Sequence, residues 1–158
     1  MYLHFATKAT LLLQVVQISV RGDEAPGPLA NRPDWKALVS GPADEMLERF
    51  ATRSARLMAR SAPIIALAEA AADADPELAA YRDRLHEANR EEINTLVVAF
   101  KRHGALAPGI DDQDAADTIY ALAGNENIYL RLTRECGWTE ARYATFIAHA
   151  LTATLGRR

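Results

Sequence analysis

With a single cysteine, Cys136, the chain can close no disulfide within itself, and no Cys/His cluster at metal-binding spacing accompanies it. Aromatic residues make up only 7% of the chain, and alternating β-branched stretches are scarce, so strand signals are almost absent. No apolar run reaches the roughly 20 residues that a bilayer span requires. The stretch from Leu11 to Val20 is interrupted by Gln14 and Gln17. It leads into Arg21-Gly22-Asp23-Glu24 without a small-residue cleavage pattern, which argues against a secretory signal. An excess of one charge is also missing. The 18 basic and 21 acidic residues leave a formal net charge of -3, which gives the whole chain no pull toward a polyanion. His4, His86, His103 and His149 fall on four separate segments, and there is no phosphate loop, paired-histidine helix motif or nucleophile elbow. Glu91-Glu92 lacks the Glu-x-x-His spacing of a di-metal carboxylate bundle. These absences predict a non-enzymatic protein without metal or cofactor, in a reducing cytoplasm and away from membranes.

What is present is helical. The 158 residues are 49% hydrophobic and 25% charged, enough for one self-sufficient core. Alanine, leucine, arginine and glutamate recur at three- and four-residue intervals between proline and glycine stops. The pattern predicts a first helix from Thr7 to about Arg21, ended by Gly22, and then a breaker-rich stretch over 22–42 with one short helical turn at Trp35 to Val39. A helix from Ala43 to Ala62 follows, restarted by Pro63 as a short helix through Ala72. Asp75 as N-cap and Pro76 as first residue open the longest helix, which ends near His103-Gly104. Pro108-Gly109 and Asp111-Asp112 punctuate again; a helix that follows to about Cys136 and a last one to Leu155, separated by Gly137-Trp138-Thr139, complete an all-α chain of about six helices.

One short stretch is specific. Tyr2-Leu3-His4-Phe5-Ala6-Thr7-Lys8-Ala9-Thr10-Leu11 resembles the end of the DNA-binding domain of TetR-family transcriptional regulators: tyrosine, any, histidine, phenylalanine, two variable, lysine, two variable, leucine. Ala6 and Ala9 depart from the family's usual proline or glycine and glutamate. The stretch from Ile119 to Tyr143, with its Gly137-Trp138 turn, is similar to the family's last two helices. The resemblance implies a repressor whose helical body binds a small-molecule effector and pairs as a homodimer, a ligand-binding bundle of the TetR C-terminal type. It also implies phosphate contacts from Tyr2, His4 and Lys8, with Phe5 plugging the small DNA-binding core. Residues 1–8 then read as the remnant of the helix-turn-helix domain and 9–158 as the effector-binding and dimerisation domain. A truncated chain of this kind is expected to bind operator DNA only together with the missing N-terminal helices.

The helical faces supply candidates for both roles. On the long helix Leu78, Tyr81, Leu85, Leu96 and Phe100 share a stripe into which Asn89 and Glu92 intrude. These two either meet partners across the core or are convergent polar groups of a pocket. Glu126 interrupts the next apolar stripe, with Tyr120 and Asn127 at its edge. The two acidic intrusions favour a cationic or hydroxylated effector. Met46, Phe50, Met58, Trp35 and Phe100 are candidates for apolar wall, by a criterion that ordinary core residues also satisfy. Tyr143, Ile147, Ala150, Leu151 and Thr154 line one side of the last helix and are the candidate dimer face. The rival reading is a helical interaction module or small α-helical enzyme unrelated to DNA.

Overall fold

The computed structural model describes residues 7–21 and 33–157, the side chain at 34 excepted. The chain is all-α, with no strand assigned among the described residues. Helix α1 spans Lys8–Arg21, α2 Pro33–Ser40, α3 Met46–Ala72, α4 Pro76–Arg102, α5 Asp112–Ala123, α6 Glu126–Leu130 and α7 Glu140–Leu155. A 3-10 turn at Ala43–Glu45 leads into α3, and α6 runs on into a π-helical turn at Arg131–Glu135. Tyr2, His4, Phe5, most of the segment read as 1–8 and the Gly22 stop lie outside the described residues.

Short polar side chains start most of these helices by accepting the amide hydrogens that have no partner within the helix. Thr7 Oγ1 accepts from Thr10 N, Asp75 Oδ1 from Glu77 N and Leu78 N, and Asp111 Oδ1 from Gln113 N and Asp114 N. Thr139 Oγ1 accepts from Arg142 N. Gly104 (φ 74°) and Gly137 (φ 69°) follow helical runs in left-handed geometry, which a side chain would strain.

Two expected boundaries are corrected. Pro63 does not restart the chain. It sits inside α3, which is continuous over 27 residues: the ring removes one backbone N–H and crowds the preceding turn, but the helix is held on one side by the main core through Ala62 and on the other by the small cluster at Ala72. The single helix expected after Asp111-Asp112, running to about Cys136, is instead broken at Gly124-Asn125. There the Asn125 side chain accepts from Asn127 N and Ile128 N and caps a new start.

Helix α3 is the axis of the molecule and touches each of the other six helices. The main core joins Met46, Phe50, Ala55 and Met58 of α3 to Leu96 and Phe100 of α4, Ile119 of α5 and Tyr143, Ile147 and Leu151 of α7. Phe50 and Phe100 meet edge to face, with ring centroids 5.9 Å apart. A smaller cluster of Ala9, Ala72 and Leu78 holds α1 to the far end of α3 and the start of α4.

The dimer-face assignment changes in consequence. Tyr143, Ile147 and Leu151 are fully buried within one chain, so they cannot meet a second copy. Their stripe faces α3, which has the larger apolar surface to cover. Ala150 is half-buried and Thr154 exposed, at the margins of that stripe. The large apolar residue that α7 leaves exposed is Phe146, packed edge to face on Trp138.

Candidate functional site

A cavity of about 910 Å³ opens between α1, α3, α4 and the corner joining α5 to α6. Helices α3 and α4 run antiparallel along it. Phe50 meets Phe100 at one end, and Glu69 Oε1 hydrogen-bonds His86 Nε2 at 2.9 Å near the other. Trp35 of α2, Phe50, Leu57, Met58 and Ile65 of α3, Leu85, Ile93 and Leu96 of α4, and Ile119 and Ala123 of α5 form its apolar wall.

Polar groups enter from three directions. The last turns of α1 contribute Gln17 and Arg21, opposite Tyr81 and Arg84 of α4. Burial raises the Tyr81 phenol above its ordinary value, against the opposing effects of its hydrogen bond with Gln17 and of the nearby Arg21 and Arg84 charges. The inner face of α4 contributes Asn89 and Glu92. The broken corner contributes Asn125, Glu126 and Asn127, with Asn127 Nδ2 donating to Glu126 Oε1 at 2.9 Å.

Two buried or stacked contacts hold these walls together. The Ser54 hydroxyl donates to the carbonyl of Ala123 at 2.7 Å, pinning α3 to the last residue of α5. The Arg53 guanidinium sits 5.4 Å from the Trp35 ring centroid. Tyr120 lies between the Arg90 guanidinium, 4.6 Å from its ring centroid, and the edge of His86.

Of the pocket residues read from sequence, Phe50, Met58, Asn89, Glu92, Leu96, Tyr120 and Glu126 line this cavity, as does Trp35. Met46 and Phe100 do not. Both are 0% exposed and belong to the close-packed core beside it. Lys8 is exposed at the start of α1.

Sequence reasoning missed the α1 wall and the Glu69–His86 pair. His86 and Arg90 lie four residues apart on α4 but have different surroundings. Arg90 lies outside, bonded to Asp117 at 3.3 Å, whereas His86 turns onto the cavity. The α5–α6 corner did carry a readable signal, since Gly124 followed by Asn125 and Glu126 is a helix stop next to an N-cap.

No group of three or more His, Cys, Asp or Glu among the described residues is placed to hold a metal ion. No described helix is long and apolar enough to cross a membrane. Compared with known proteins, the chain matches no family model, no curated protein and no solved structure.

Proposed function

We propose that this chain is the effector-binding and pairing body of a TetR-type transcriptional repressor, a cytoplasmic protein that works as a homodimer. The observation that carries the reading is the route of α1. This helix begins at Lys8, within the stretch that resembles the end of a DNA-binding domain, and ends at Gln17, Val20 and Arg21 on the wall of a cavity of about 910 Å³. A volume of that order suits a small organic ligand, and the apolar wall with a few polar groups is the usual composition of such sites. A ligand there would touch the helix that leads to the DNA-reading head and would bias its angle, which is how two distant sites come to share a free energy.

With Tyr143, Ile147 and Leu151 committed to the core, pairing falls to the outward side of α7, where Phe146 is exposed beside Trp138. Lys8 would contribute a phosphate contact, alongside Tyr2 and His4.

The codons upstream of Met1 in the genome test the reading. An open frame spelling two helices and a turn supports it, since a helix-turn-helix needs both. A frame without that pattern favours a helical module or small enzyme with no link to DNA. Where the pattern is found, the chain carrying it should shift a fragment of its own promoter in a mobility assay and release it when the cavity is filled.

A further inference from the structure

Building on the reading of the cavity as an effector site, we propose that its ligand is an uncharged amphiphile, an apolar body bearing a hydroxyl or carbonyl group that Asn89 and Tyr120 recognise. The charged lining argues against an ion. Arg21, Arg53 and Arg84 stand against Glu69, Glu92 and Glu126, three of each sign, so no net field offsets the hydration an ion would lose on entering.

The carboxylates are also engaged already. Glu69 is bonded to His86, Glu126 to Asn127, and Glu92 interacts within the chain. A cationic ligand would have to compete with those internal partners, which leaves the hydroxylated half of the expectation drawn from Glu92 and Glu126.

The neutral groups are differently placed. Among the described residues, neither the Asn89 amide nor the Tyr120 hydroxyl makes a hydrogen bond, and both line the cavity. They belong to one seam between α4 and α5. A Cβ at Gly124 would lie 3.3 Å from Asn89 Nδ2 and 3.1 Å from the carbonyl oxygen of Tyr120, so the glycine keeps the space beside the amide clear. The Tyr120 ring is fixed by Arg90 and His86. A small polar head lodged at this seam would satisfy two half-buried groups and leave its apolar body on Leu96, Ile93 and Met58.

The test uses the Trp138→Phe variant, in which Trp35 on the cavity wall is the remaining tryptophan of the two. Its fluorescence is titrated with nonanol, nonanoate and nonylammonium, probes with one alkyl chain and three different heads. Nonanol should saturate the signal at a concentration about tenfold or more below either ion. Asn89→Leu and Tyr120→Phe should each weaken nonanol about fivefold, the worth of one neutral hydrogen bond, and leave the ions unchanged. Either ion binding as tightly as nonanol, or nonanol binding both variants as tightly as their parent, overturns the assignment of the head and leaves the effector cavity standing. No response of Trp35 to any probe overturns the effector cavity and the head together.

Discussion

Tyr143 is 0% exposed, and among the described residues its hydroxyl has no hydrogen-bond partner. The ring earns its place by packing edge to face on Tyr129, with centroids 4.9 Å apart, while the oxygen has given up water for nothing in return. Tyr143→Phe should therefore raise stability, by about 1 kcal/mol in urea unfolding, because it removes a desolvated group and no bond. Burial, and to a lesser degree the nearby Tyr129, also pushes the Tyr143 phenol well above its ordinary value. Above the ordinary phenol range the unfolded chain releases this proton while the folded chain keeps it, so stability is full below that range and falls as pH rises toward the raised value. Tyr143→Phe should flatten this alkaline loss, leaving the smaller part due to Tyr81 and Tyr129, and an unchanged pH slope would contradict the burial argument. Ser54 is the opposite case, since its bond to the Ala123 carbonyl is buried and made. Ser54→Ala should cost about 1–3 kcal/mol, the range for leaving a buried acceptor unsatisfied, and should loosen the α5 end of the cavity.

At the scale of elements, α3 tolerates Pro63 because the helix is held by its neighbours on both sides of the ring. The missing N–H and the crowding of the preceding turn still act on it. Pro63→Ala should therefore stabilise the chain by about 1–2 kcal/mol, after allowing for the greater freedom that alanine gives the unfolded state. A loss of stability would mean that the ring packs better than the bond it displaces. Pro63 also marks where local signals stop being decisive. Asp75-Pro76, Gly104 and Gly137 act on their own backbone and were legible without any tertiary context, whereas the outcome at Pro63 depends on what α3 packs against. The cavity divides the same way. Asn89 and Glu92 stood out as polar intrusions on an apolar stripe, and they do line it, because periodicity reports which face turns inward. Periodicity does not report depth, so Met46 and Phe100 shared that signature and proved to be close-packed core. Gln17, Arg21 and Glu69 were not legible, because their place in the site depends on where α1 crosses α3 and α4, a long-range pairing that no local pattern encodes. The α7 stripe gave the right face and the wrong partner, since an apolar stripe is the same whether a neighbouring helix or a second copy covers it.

Across the whole molecule the two attachments of α7 and α1 differ in kind. Helix α7 is committed to the main core by Tyr143, Ile147 and Leu151 and leaves Phe146 outside, so a homodimer that pairs through this helix should be disrupted by Phe146→Glu. For such a homodimer, light scattering should show the variant as monomer at concentrations where the parent still pairs, with a dissociation constant raised about tenfold or more, the scale for a buried aromatic at an interface. Identical masses for parent and variant would move the pairing surface elsewhere. Helix α1 is held more lightly, with only Ala9 and Val16 among its buried residues. Its last turn is fastened from outside: Arg60 Nε donates to the carbonyl of Ser19 at 2.8 Å, and an Arg60 terminal nitrogen donates to that of Val20 at 3.0 Å. A guanidinium there occupies two carbonyls that the helix cannot satisfy and meets the negative end of its dipole. Because that same turn presents Val20 and Arg21 to the cavity, the clasp on its outer side and a ligand on its inner side act on one element. Arg60→Ala should leave α3 intact and lower overall stability by about 1 kcal/mol or less, since the freed carbonyls can turn to water. Amide exchange over residues 16–21 should quicken severalfold in the variant, and a cavity ligand should slow it again, because the ligand replaces from within the restraint that was removed from without. Exchange that is unchanged by the substitution would show that the small cluster of Ala9, Ala72 and Leu78 alone sets the angle of α1. Motion of this helix would then have to come from that corner, and not from the turn that faces the cavity.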